Sequence, residues 1–122
     1  MKFFLKKNII FIYIFFIFAL SLIPGNGFIG TIHSFGIDKI IHFLEYFILG
    51  FLVHNFIKNR KKSFKILYIL IVLVAIIDEY LIQEISKRTV DPFDFLSNFI
   101  GLYVGIAVCL IIGKYFVKKT HN

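Results

Sequence analysis

Two adjacent carboxylates, Asp78 and Glu79, lie within the apolar run 66–85, with Gln83 one helical turn further on. Asp38, His42 and Glu45/Tyr46 recur at i, i+4 and i+7/i+8, and so share one helix face. Asp94, Asn98, Gly101 and Gly105 repeat the pattern later in the chain, and Lys39 and Arg88 are the nearest cations. This chemistry covers proton transfer by His42, Glu79 and Asp94, bidentate anion recognition by Arg88, and hydrogen bonding by Asn98. Ionisable groups inside apolar helices mark a functional site by default, because each costs about 2.5–3.5 kcal/mol at a bilayer centre. The candidate site is therefore Asp38, Lys39, His42, Tyr46, Asp78, Glu79, Arg88, Asp94 and Asn98.

Structural uses compete with these. Asp38 and Asp94 read as N-caps of the second and fourth helices, and Lys39 as an interfacial anchor or carboxylate partner. Asn98 reads as a bond between helices, and Gly101 and Gly105, with Ser97 and Cys109, as a small-residue packing ridge. Successive helical residues point about 100° apart, so Asp78 and Glu79 do not face one site equally. Glu79 shares a face with Gln83 and is the better lining residue. No His-x-x-x-His or cysteine pair fixes a metal, so neither metal nor cofactor is expected, and Ser97 lacks the partners of a nucleophilic triad. His33, His54 and His121 are solitary, and Cys109 is an inert thiol in an apolar run.

The elements that position these residues follow from charge and hydropathy. All seven acids lie between Asp38 and Asp94, and eleven of the fourteen Lys/Arg lie in three acid-free stretches, 2–7, 58–65 and 114–119. With 59% hydrophobic residues, the chain has too little polar surface for a soluble globule, and its net charge of +7 flanks apolar runs rather than forming a nucleic-acid face. Apolar runs predict helices at about 9–23, 40–57, 66–85 and 95–112, in one membrane domain, 1–122. The first reads as a retained helix rather than a cleaved leader, stopped by Pro24-Gly25-Asn26-Gly27. The positive-inside rule sets both termini and the 58–65 loop in the cytoplasm, giving an all-α bundle of four transmembrane helices. Asp78 and Glu79 then lie about 10 Å below the outer end of their helix.

These residues carry a resemblance. Asp38-Lys39-Ile40-Ile41-His42-Phe43-Leu44-Glu45-Tyr46 with Gly50, then Asp78-Glu79, Arg88, Asp94, Asn98, Gly101 and Gly105, resemble the two signatures of the VanZ-like family; Ser21-Leu22-Ile23-Pro24-Gly25 is similar too. The family pattern has Gln three residues after the Glu, where this chain has Ile82 and then Gln83, and Pro-Gly before the Arg, where it has Ser86-Lys87. The resemblance implies a multi-pass bacterial cell-membrane protein, in a family whose founding member is associated with low-level teicoplanin resistance.

Three readings of function remain open. One is an outward-facing polar cleft that binds a cell-envelope or lipid-linked headgroup, a cell-wall precursor or a lipoglycopeptide at the outer leaflet. Another is a membrane enzyme acting on such a substrate through Glu79, His42 and Asp94. The third is a structural accessory subunit. Membrane lipids are partners in all three, and nucleic acid in none.

Overall fold

A computed structural model of the chain describes residues 2–24, 36–58, 60 and 65–120, and the side chains of 7–24, 36–58, 60 and 65–115. His33, His121, most of the 58–65 loop and the stop sequence after Pro24 lie outside the described residues. Among the described residues there are four helices: α1 (Lys2–Ser21), α2 (Ile37–Ile57), α3 (Ile66–Ile85) and α4 (Pro92–Thr120). No strand occurs among the described residues. Three helices, α2, α3 and residues Pro92–Tyr115 of α4, are long and apolar enough to cross a membrane, whereas the apolar part of α1, Lys7–Ser21, is shorter.

The helix ends explain several departures from the expected boundaries. α1 closes at Ser21, since residues just before a proline avoid helical backbone. It starts well before residue 9, because the lysines and Leu5 in its first turns are good helix formers. α2 starts at Ile37, behind Gly36 at φ 69°, a left-handed conformation that glycine adopts without strain. Asp38 thus sits inside the first turn and does not cap the helix. α4 begins at Pro92, whose missing N–H suits a first helical position. The cap is Asp91, whose Oδ1 accepts the Phe93 N–H at 2.8 Å, so Asp94 also lies inside the first turn rather than at the cap.

The surface is inverted relative to that of a water-soluble protein. Phe11, Ile12, Phe15, Ile69, Phe93, Tyr103 and Ile111 are exposed, while Asp38, His42, Glu45, Asp78, Glu79, Gln83, Asp94 and Asn98 are buried. Apolar side chains facing outward around a polar interior suit a hydrocarbon solvent, in which each polar group must find its partners inside.

The closest packing joins α2 to α4. A Cβ on Gly101 would run into the carbonyl oxygen of Phe43, and one on Gly105 into that of Phe47. Reciprocally, a Cβ on Gly50 would strike the carbonyl of Leu102. Three glycines therefore let two backbones touch, as small residues do between membrane helices. Ser97 does not extend this seam: it is only half-buried, and its hydroxyl donates back to the Phe93 carbonyl at 2.9 Å. Around this pair, Tyr46, Leu49, Val53, Phe56, Ile71, Ala75 and Leu102 form a core joined by Ile10 and Ile17 of α1. His54 is not solitary, since its Nδ1 lies 2.6 Å from the Tyr68 hydroxyl and ties α2 to α3. A hollow of about 770 Å³ between α1, α2 and α3 is apolar apart from Lys7, and belongs to the hydrocarbon-facing packing.

Candidate functional site

The polar residues gather where the C-terminal end of α1, the N-terminal ends of α2 and α4, and the last turns of α3 meet. Asp78 and Glu79 diverge there. Asp78 Oδ2 accepts the Tyr46 hydroxyl at 3.0 Å, a buried bond from α2 to α3. Glu79 faces the other way: its Oε2 accepts the Gln83 amide at 2.7 Å and its Oε1 accepts the Asp91 backbone N–H at 3.0 Å. Glu79 is thus held by its own helix and by the loop leading into α4.

The backbone at this point is not regular. Asp78–Ile82 forms a π-helical turn inside α3. Such a turn, bonded i→i+5, takes up one residue more than an α-turn, and it concentrates at functional sites. That extra residue bears on the displaced glutamine, because Gln83 reaches Glu79 across the widened turn although it stands four residues on rather than three.

Lys39 is the hub of the N-terminal ends of α2 and α4. Its Nζ lies 2.8 Å from Asp91 Oδ2 and 3.0 Å from Asp94 Oδ1, and 4.0 Å from Asp38 Oδ2. Lys39 therefore clamps α2 to the start of α4. Asp94 is buried, and Lys39 engages only one of its oxygens; Oδ2 has no hydrogen-bond partner and lies 4.0 Å from His42 Nε2. His42 Nδ1 likewise has no hydrogen-bond partner, with Glu45 Oε2 at 3.8 Å. One ligand-capable atom each of His42, Glu79 and Asp94 falls within 4.8 Å of the others, and all three residues are buried.

Asn98, one turn below Asp94, is fully buried, and neither its amide oxygen nor its nitrogen has a hydrogen-bond partner. It does not form the helix-to-helix bond expected from its position. An unsatisfied buried polar group costs about 1–3 kcal/mol, so this amide is set up to meet something polar. Gly101 and Gly105 belong to the helix seam and not to the polar cluster.

A cavity of about 130 Å³ adjoins the cluster, lined by Leu20, Ser21, Ile23, Asp38, Ile41, His42, Glu45 and Arg88. Arg88 follows the end of α3, where its backbone N–H bonds to the Gln83 carbonyl at 3.0 Å. Its guanidinium forms no ion pair within 4.0 Å among the described residues. Asp91, Glu45 and Ser21 join the site in the structure although they are not among its candidate residues in the sequence. Asp91 was detectable from Asp91-Pro92, a cap followed by a proline at the first helical position. Glu45 was visible on the same stripe as His42. Ser21 carried no signal beyond a small polar residue ending an apolar run.

Apolar helices with outward-facing hydrocarbon side chains around a buried ionisable cluster define a multi-pass helical membrane protein. Residues 4–113 match the family model described as VanZ/LLP1, and the chain belongs to that family. No curated protein matches the chain, and no solved structure does.

Proposed function

We propose that the chain is a bacterial cell-membrane protein whose polar end recognises the anionic headgroup of an envelope lipid or lipid-linked cell-wall precursor. In this reading α1 is a fourth span, completed by snorkelling lysines, both termini are cytoplasmic, and the cluster around His42 faces outward. The observation that carries the reading is the Arg88 guanidinium. It has no ion-pair partner among the described residues, and it lines a cavity together with Asp38, His42 and Glu45 on one side and Leu20, Ile23 and Ile41 on the other. A planar cation of this kind suits the paired oxygens of a phosphate or carboxylate, and the apolar wall suits the neighbouring acyl region. Lys39, spent on Asp91 and Asp94, is a structural cation rather than a ligand-binding one.

Size selects among occupants. About 130 Å³ matches a phosphate-sized group, so only the headgroup of a larger amphiphile would enter this open cleft. Any contribution to teicoplanin or other lipoglycopeptide resistance would then act through the envelope lipid, with the antibiotic itself outside the cavity.

The test is a strain lacking the gene, complemented with wild type, Arg88→Ala, Arg88→Lys or Asn98→Ala at equal membrane abundance. Teicoplanin susceptibility and the lipids that co-purify are scored. Loss of retained anionic lipid in Arg88→Ala, with partial recovery in Arg88→Lys, is the expected result; wild-type behaviour in every variant would sink the reading.

Catalysis on the same substrate is a second reading, favoured by the approach of His42, Glu79 and Asp94 to within 4.8 Å. Here Glu79→Gln would still retain lipid but would abolish turnover.

A further inference from the structure

We infer that His42, Glu79 and Asp94 form a binding site for one divalent transition-metal ion, of the Zn²⁺ or Mn²⁺ class. The sequence offers His42, Asp38, Glu79 and Asp94 as ligand types, but the three residues used here lie on three different helices and obey no local spacing rule, so no metal is expected from the sequence.

The geometry has the parts such a site needs. His42 Nε2 and Asp94 Oδ2 are 4.0 Å apart, and one ligand-capable atom each of His42, Glu79 and Asp94 lies within 4.8 Å of the others. Ligands bonded at about 2.0–2.2 Å stand roughly 3–3.5 Å apart around one ion, so a contraction of up to about 1.5 Å in the widest separation closes the site. Rotamer adjustment can supply that much.

Two of the three donors are oriented by neighbours that leave a ligating atom available. Lys39 holds Asp94 by Oδ1, at 3.0 Å, and Oδ2 is buried without a partner. Glu79 is fixed by Gln83 and by the Asp91 N–H, and a carboxylate oxygen that accepts one hydrogen bond keeps a second lone pair. His42 turns Nε2 toward Asp94; Nδ1 makes no hydrogen bond, but the Glu45 carboxylate stands 3.8 Å away, so a small side-chain movement would complete the carboxylate–histidine bond that orients a metal-bound imidazole. The amide of Asn98, one turn from Asp94 and buried without a partner, adds a neutral oxygen or a donor to a coordinated water.

Charge argues the same way. Asp38, Glu45, Asp78, Glu79, Asp91 and Asp94 are gathered in this zone, with Lys39 and Arg88 the fixed cations that line it among the described residues. A surplus of buried negative charge is costly in a low-dielectric interior, and a bound dication lowers it. One imidazole with two carboxylates favours Zn²⁺ or Mn²⁺ over Ca²⁺ or Mg²⁺, which prefer all-oxygen shells. The inference stands apart from headgroup binding, because the ion alone is the probe.

Purified wild type in detergent, stripped with chelator and dialysed, is titrated with Zn²⁺ and separately with Mn²⁺. The expected result is one ion per chain, with affinity falling at least tenfold in each of His42→Ala, Glu79→Gln and Asp94→Asn but unchanged in Glu84→Gln. No saturable binding of either ion, or equal binding in all four variants, overturns the proposal. X-ray absorption on the Zn²⁺-loaded wild type decides the matter even if a variant fails to fold. A shell of one imidazole with oxygens supports the site; sulfur, or two or more imidazoles, overturns it.

Discussion

The ammonium group of Lys39 lies between two carboxylates at the start of α4, 2.8 Å from Asp91 and 3.0 Å from Asp94. Asp91 also caps α4, and its N–H holds Glu79. One lysine thus links α2, the cap of α4 and, through Asp91, the π-turn of α3. Lys39→Met should leave two adjacent carboxylates without their shared cation. The expected cost is about 1–3 kcal/mol, less than for a fully buried pair because the lysine side chain is 35% exposed. Thermal unfolding in detergent measures it, and Lys39→Met combined with Asp91→Asn should recover part of the loss.

Tyr46→Phe removes the hydroxyl that Asp78 accepts and leaves the buried carboxylate one donor short, at a cost of about 1–3 kcal/mol. The double variant Tyr46→Phe/Asp78→Leu should be less destabilised than the sum of its parts, since that carboxylate is gone. Additive losses in a double-mutant cycle would contradict a direct bond.

Gly105→Leu drives a side chain into the Phe47 carbonyl and should abolish assembly of the α2–α4 pair. Gly113→Leu on the same helix, where a Cβ meets nothing within 4 Å, should be tolerated. Protease resistance of the membrane-inserted chain separates the two.

Orientation is checked with single cysteines at positions 26 and 59 in a Cys109→Ser background. With both termini cytoplasmic, an impermeant thiol reagent applied to intact cells labels position 26 and not 59. Labelling of 59 alone reverses the assignment.

Much of this was legible in the sequence, and its limits have physical causes. Apolar run length is set by bilayer thickness, so helix positions and the burial of Asp78, Glu79 and Asn98 could be read directly. The start of α3 agrees with the hydropathy, whereas α2 and α4 begin three residues earlier than it places them, because hydropathy ignores caps. Gly36 and Asp91-Pro92 decided them, which moved Asp38 and Asp94 into first turns. The i, i+4 rule paired Glu79 with Gln83 correctly, although the turn between them is a π-turn that no periodicity rule anticipates. The approach of His42 to Asp94 was beyond local spacing altogether, since it depends on how α2 and α4 pack.

That packing makes the glycine seam a ruler. Where Gly50, Gly101 and Gly105 interlock with the facing backbone, neither helix can slide or turn against the other. The eight residues from His42 to Gly50 and the seven from Asp94 to Gly101 then fix the depth and bearing at which the imidazole meets the carboxylate. Adding or removing one residue in either interval would swing the polar face by about 100° and shift it by about 1.5 Å, while leaving composition and hydropathy almost unchanged. Length in those two intervals is consequently more tightly constrained than the identity of many side chains within them.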